Sequence, residues 1–301
     1  MKKYLIGFLC SFLTLSAGDA SVQEILDWIG STKQALVAKE AESGLKEGEL
    51  LFLTFWNFDN TILDGDSTEG SSDIYGKVIF KGLAQVAIEA GLSPKYSSFE
   101  KFWNDYQAME QKDERKAYAY AAQMLAGSEA SQVLQLSTLY FQTTLGRHLF
   151  QASMDLIRGL QDRKISVQIL TASPRIFVQG AAPLLKISAN DVYGMETKVE
   201  NGRLTSQMVL PLTTQKGKIK KIEEIVQKKM GQYKKVYVLA AFGNDNYNDM
   251  PFLEWTAAQQ LPAGKPLAGV DYRPPRIQKE NVVLLRLTEE ISRPNSEKLE
   301  Q

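Results

Sequence analysis

The sequence predicts an α/β protein: a parallel sheet with helices on both faces, interrupted by a long, mostly helical insertion. Three observations predict it. The runs Leu51–Trp56, Ile165–Leu170 and Val236–Phe242 are short and mostly apolar, as buried parallel strands are. They alternate with helix-length amphipathic segments, the crossovers that parallel strands require. Between the first and second runs, Ser71–Phe150 is mostly helix-forming. A chain of 301 residues accommodates a core domain with an inserted one.

Residues 1–20 read as an export signal. Lys2 and Lys3 form its basic start, Tyr4–Ala17 its apolar stretch, and Gly18-Asp19-Ala20 a small-x-small cleavage site. A membrane span needs roughly 20 apolar residues, more than this run supplies, so no stable anchor is expected. The mature chain then begins near Ser21, in the periplasm or outside the cell. Cleavage also removes Cys10, the only cysteine. With 35 basic and 35 acidic residues, the chain offers no electrostatic case for nucleic acid or an anionic membrane. One histidine, His148, placed at the end of the insertion, reads as structural. His/Cys metal centres and Ser-His-Asp catalysis are thereby excluded.

Ser21 is a helix cap for a segment running to about Ala41, with Ile25, Leu26, Trp28, Ile29 and Leu36 at helical spacing. The first apolar run ends in Asn57-Phe58-Asp59-Asn60-Thr61, placing positions 57 and 59 at a strand tip, where open α/β sheets bind ligands. An acidic loop with Asp64, Asp66 and Glu69 follows, either to read a cationic ligand group or as a solvated linker. Most aromatics of the insertion form its own core. Trp103 or a tyrosine facing the cleft would hold a quaternary ammonium by cation–π contact.

Gln151–Asp162 is an amphipathic helix. The second apolar run ends in Thr171-Ala172-Ser173-Pro174, with Pro174 in the first turn of a helix reaching about Leu185. A hydroxyl beside a helix N-terminus suits an anion. Tyr193–Leu210 reads as a hairpin turning at Asn201-Gly202. Thr213–Lys218 opens a helix reaching about Met230, and the third run ends in Gly243-Asn244-Asp245-Asn246-Tyr247-Asn248-Asp249. Asn281–Leu287 is a last strand.

In this order, Asn57-x-Asp59-x-Thr61, Thr171, Lys218 and Asp245-x-x-x-Asp249 resemble the four signatures of the haloacid dehalogenase-like (HAD) phosphohydrolases. The resemblance covers Leu51–Leu253 and is closest to the phosphoserine- and phosphorylcholine-phosphatase-like branch. It implies a Rossmann-like core of residues 21–70 and 151–301, with a helical cap of residues 71–150 inserted after the first motif strand. It further implies a Mg²⁺-dependent hydrolase of small phosphomonoesters, and the acids and aromatics lean towards amine- or choline-bearing ones. Carried over, Asp59 is the general acid/base, Thr171 the phosphoryl donor and Lys218 the electrostatic partner, with Lys216 in reserve. Asp245 is the principal Mg²⁺ ligand, supported by Asp249, position 57 and the Asp59 carbonyl. Asp66, Glu69, Trp103 and Ser173 fall to substrate binding.

Two departures stand out: Asn57 replaces the family's nucleophilic Asp, and Asn244 stands where the fourth signature has Gly. A neutral amide is a very poor nucleophile and removes a negative charge from the metal site. The amide is then a substitution made to trap substrate, a natural feature of a non-catalytic exported phosphate-ester binder, or an Asp precursor restoring a little activity. A dehalogenase fits less well, because Lys218 and the carboxylates suit a Mg²⁺-dependent phosphohydrolase.

Overall fold

The structure, a computed structural model, describes residues 18–19, 21–244, 248–264, 266–270 and 283–286. Its main sheet holds the strands Gly18–Asp19 (β1), Leu50–Trp56 (β2), Ser166–Pro174 (β5), Val192–Met195 (β6), Lys235–Gly243 (β9), Leu267–Val270 (β10) and Val283–Arg286 (β11). They lie in the order β1-β11-β10-β9-β2-β5-β6, and every adjacent pair is parallel. The last strand falls inside the expected Asn281–Leu287; the flanking residues lie outside the described ones.

The central strand β2 shows why this sequence makes a two-faced sheet. Phe52 and Trp56 enter the larger apolar cluster, with Ile25, Ile29 and Leu36 of the helix Val22–Ala41 (α1) and Leu156, Ile157 and Leu160 of Gln151–Asp162 (α6). Leu53 and Phe55 enter the other, with Ile222 and Ile225 of Lys216–Met230 (α9) and Phe252 and Leu253 of Met250–Ala258 (α10). The period of two sends alternate side chains to opposite helical layers. Ser21 caps α1 in a reciprocal capping box with Glu24, whose carboxylate accepts from the Ser21 N–H at 2.7 Å.

The segment between β2 and α6 begins with an antiparallel hairpin, Gly70–Ser72 (β3) and Val78–Lys81 (β4). Four helices follow: Leu83–Glu89 (α2), Phe99–Glu110 (α3), Glu114–Gln123 (α4) and Ala130–Thr143 (α5). His148 ends the turn after them, its ring against Phe80 at 4.9 Å.

Two expected elements change shape. The second strand runs on through Thr171-Ala172-Ser173 to Pro174, and the following helix is broken into Arg175–Val178 (α7), a 3₁₀ turn Gln179–Ala181 and Ala182–Leu185 (α8). The stretch expected as one hairpin divides. Its start, β6, joins the main sheet, because Val192 and Met195 bury there and Gly194 lies against the Ser173 carbonyl, where a Cβ would come within 2.6 Å. The true hairpin is Thr197–Glu200 (β7) with Arg203–Met208 (β8), turning on Asn201 (φ 50°) and Gly202 (φ 77°). Among the described residues, no helix is long and apolar enough to cross a membrane.

Candidate active site

Parallel register builds the site. Trp56 of β2 pairs with Ile169 of β5 and Phe242 of β9, so the residues just beyond this row emerge at one edge. Asn57 N donates to the Phe242 carbonyl at 2.8 Å, and the chain then turns back on the Phe58 carbonyl, which accepts from Ile62 N at 2.8 Å. Asn60 takes the left-handed conformation (φ 53°), which Asn tolerates, to make this turn. Asn57 and Asp59 are thereby nearly buried at the strand tip.

One half of the site gathers around Lys218. Its ammonium, 0% exposed, donates to Asp249 Oδ1 at 2.6 Å and to Asn57 Oδ1 at 3.0 Å. Lys216, one turn-step earlier, is exposed, so α9 itself selects Lys218. Asp249 Oδ2 accepts from Asn244 N at 3.0 Å. Gly243 is required here: a Cβ on it would lie 2.8 Å from both Asp249 Cβ and Oδ2. Asn57 Nδ2 donates to the Asp59 carbonyl at 2.9 Å and to Asn244 Oδ1 at 2.9 Å, with Thr61 Oγ1 at 3.4 Å.

The other half gathers around Asp59. Its Oδ1 accepts from Ser67 N at 2.6 Å, and its Oδ2 from Ser173 Oγ at 2.5 Å and Thr171 Oγ1 at 3.3 Å. Burial raises the Asp59 carboxyl above its ordinary pKa despite these donors. Asp66 closes its own turn, accepting from Thr68 N at 2.7 Å and Glu69 N at 2.8 Å. Burial, and then the Asp59 charge, push Asp66 well up. Glu69 accepts from Tyr106 Oη of α3 at 2.8 Å, and burial pushes it up to about 7. Trp103 stacks on Tyr106 and Phe99, with ring centroids 5.6 and 5.7 Å away, a contact internal to α3. From α4, Glu114 Oε1 and Tyr118 Oη accept from Asn248 Nδ2 at 3.2 and 3.3 Å.

Sequence reasoning placed Asn57, Asp59, Thr171, Ser173, Lys218 and Asp249 here, and the structure gathers their side chains into two hydrogen-bonded groups, Lys218 with Asn57 and Asp249, and Asp59 with Thr171 and Ser173, joined by the bond from Asn57 Nδ2 to the Asp59 carbonyl. Asp245 lies outside the described residues. The residue that reaches Asn57 from the tip of β9 is Asn244, which the spacing argument passed over. The signal was available: Asn244 follows the strand's last residue as Asn57 follows Trp56. Tyr106, Asn248 and Tyr118 were also missed as linkers between the insertion and the core turns.

The described residues do not fit the Mg²⁺ that the resemblance implies. The oxygens converging on the Asn57 nitrogen at the tip are the Asp59 carbonyl, Thr61 Oγ1 and Asn244 Oδ1, and the Asp249 carboxylate lies 3.1 Å from the last of these. The carboxylates beside them face other donors: Asp249 takes Lys218 and Asn244 N, and Asp59 takes Ser67, Thr171 and Ser173. Among the described residues no group of three or more His, Cys, Asp or Glu is placed to hold a metal ion.

A parallel α/β core with polar side chains at its strand tips and a mostly helical insertion after β2 defines the class of scaffold. The chain matches the haloacid dehalogenase-like hydrolase family over residues 54–254 and belongs to it. Among solved structures, a protein with unknown function from Bordetella pertussis Tohama I shares the fold, with 13% identity and a TM-score of 0.55, covering 74% of this chain and 90% of that one. Weaker likenesses include a substrate-bound phosphoserine phosphatase complex, with 16% identity and a TM-score of 0.47, covering 83% of this chain and 96% of that one. Another is a phosphoserine phosphohydrolase-like protein from Francisella tularensis, with 13% identity and a TM-score of 0.45, covering 74% and 88%. No curated protein matches the chain.

Proposed function

We propose that this chain binds a small phosphate monoester at its strand tips and does not turn it over. The observation that carries the reading is the Asn57 carboxamide at the tip of β2, its oxygen held by Lys218 at 3.0 Å. In this hydrolase family the position belongs to the carboxylate that attacks phosphorus, and an amide cannot form that covalent bond. The remaining residues suit a bound phosphoryl group. Lys218 supplies positive charge, and Thr171 and Ser173 exchange their bonds to Asp59 for bonds to phosphoryl oxygens. Asp59, raised by burial, is the residue suited to protonating a leaving oxygen in a chain whose position 57 is a carboxylate. Mg²⁺ dependence belongs to such a carboxylate form rather than to the chain with Asn57.

Residues 71–150 act as the cap, and residues 21–70 and 151–301 as the core. Glu69 and Tyr106, in contact where cap meets core, favour an amine- or choline-bearing ester. Export follows from the basic-apolar-small leader; cleavage before Ser21 leaves the capped start of α1 intact and removes β1. An enzyme silenced by a single substitution is the second reading, and the retention of Asp59, Thr171, Lys218 and Asp249 favours it. Asn244, a second neutral amide against the first, favours the binder.

Calorimetry tests the reading with phosphoserine, phosphocholine and glucose 6-phosphate, beside a phosphate-release assay. The expected result is binding, tightest for the amine-bearing esters, without phosphate release. Turnover by the unaltered chain, or no heat from any ester, overturns it.

A further inference from the structure

We infer that the Asn57 carboxamide nitrogen takes the place of a cation at the strand tips, so that this site is organised without a divalent ion. This arrangement of the strand tips is independent of ester binding. Asn57 Nδ2 lies among oxygens from separate backbone positions: the Asp59 carbonyl and Asn244 Oδ1, each at 2.9 Å, and Thr61 Oγ1 at 3.4 Å. Such a convergence of oxygens is repulsive unless something positive sits at its centre. Here the two N–H groups of the amide, each carrying partial positive charge, fill it.

The reason lies in counting oxygens. A carboxylate at position 57 has one oxygen for Lys218 and a second to turn towards an ion. A carboxamide has one oxygen only. Lys218 is fully buried and covalently part of the chain, and leaving its ammonium unmatched carries a large desolvation cost. The single oxygen therefore goes to Lys218 at 3.0 Å, and the nitrogen must face the oxygen cluster. Turning the amide over would set its NH₂ against the ammonium and its oxygen against the Asp59 carbonyl.

Asn244 sets the second condition. Reversed, its amide nitrogen would donate to Asp249 Oδ2 at 3.1 Å and the Asp59 carbonyl at 3.2 Å, but would meet Asn57 Nδ2 nitrogen to nitrogen at 2.9 Å. In the other orientation Asn244 Oδ1 accepts from Asn57 Nδ2 at 2.9 Å while lying 3.1 Å from Asp249 Oδ2 and 3.2 Å from the Asp59 carbonyl, so the Asn57 nitrogen is the donor that offsets this crowding of oxygens. The two amides thus form a neutral pair across the tips of β2 and β9. Asp249 balances Lys218 at 2.6 Å beside them, so among the described residues the charges of that half of the site are matched.

The test uses the full chain and the metal alone. Free Mn²⁺ is followed by its electron paramagnetic resonance signal, and melting temperature is measured in Mg²⁺ and in EDTA. The unaltered chain should leave the Mn²⁺ signal undiminished and melt within about 1 °C in the two buffers. Asn57→Asp should bind one equivalent of Mn²⁺ and melt about 5 °C higher in Mg²⁺ than in EDTA. Asn244→Asp, which adds charge without touching Lys218, should gain weaker binding and stands in if Asn57→Asp fails to fold. One equivalent of Mn²⁺ on the unaltered chain, lost in Asn57→Ala, overturns the inference. So does an Asn57→Asp chain that folds and remains indifferent to metal. Ester affinity enters neither readout, so a failure of the binding proposal is separately visible.

Discussion

The two halves of the strand-tip site lie side by side and differ in electrostatics. Around Lys218, every charge is met: the ammonium faces Asp249 and the Asn57 oxygen, and the Asn57 nitrogen faces oxygens. Around Asp59 and Glu69, carboxyls are buried against one another, and the charges acting on Glu69 come from Glu110, Asp59 and Glu114, all acidic. In the first half the described charges are matched; in the second, burial and neighbouring acids raise Asp66 and push Glu69 up to about 7. The lesson is that position 57 decides more than a nucleophile. An amide there closes the charge balance on one side of the site and leaves the other side to receive whatever positive group a ligand brings.

The strongest way to break this contrast is to restore charge to the balanced half. Asn57→Asp with Asn244→Asp should convert an inert chain into a metal-requiring phosphomonoesterase, with phosphate release about 1,000-fold or more above background. Asn57→Asp alone should fall short of the pair, because Asn244 remains neutral. A phosphate-release assay over several monoesters decides it; a pair of carboxylates without turnover would reduce the scaffold to a binding module.

Removing the cation attacks the same half from the other side. Lys218→Met leaves Asp249 buried without its partner at 2.6 Å and should cost about 3–5 kcal/mol of stability. Urea unfolding measures this, with the double variant Lys218→Met/Asp249→Asn expected to recover much of the loss. Equal stability of Lys218→Met and the unaltered chain would show that the pair is not the buried anchor described above.

The smallest effect sharpens the unbalanced half. Glu69 is raised from about 4.5 to about 7, so the folded protein binds its proton more tightly than the unfolded chain does. Its contribution is therefore fully present below pH 4.5 and is lost as pH rises through 7. Unfolding free energy should fall between pH 5 and 8, by on the order of 2 kcal/mol from this group. Glu69→Gln, which keeps an acceptor for Tyr106 without the charge, should flatten that slope. An unchanged slope would assign the pH dependence to Asp66 and Asp59 instead.

Much of this molecule was legible in the chain. The strands at Leu51, Ile165 and Val236 are apolar runs whose burial on both faces is a one-dimensional property, and α1 and α6 follow from local spacing and capping. Asn57, Asp59, Thr171 and Lys218 were recognisable because each sits at an element boundary, and such boundaries are local. What spacing left open were relations between distant segments. Lys216 and Lys218 are equivalent lysines in sequence, and only the packing of α9 against the sheet turned one inward and left the other exposed. The second strand's extension to Pro174 and the transfer of β6 to the main sheet depend on which neighbour offers free backbone groups, and no local pattern records that. Asn244 was read past because an Asp beside it offered a charge, whereas the parallel register of β2 and β9 delivers the residue at the tip whatever its charge. The central strands β2, β5 and β9, the helices α1 and α6 and the amide at position 57 could be read from the chain. What that amide faces came from packing alone, because Lys218 of α9 and Asn244 at the tip of β9 are far from Asn57 along the chain and meet it only in the fold.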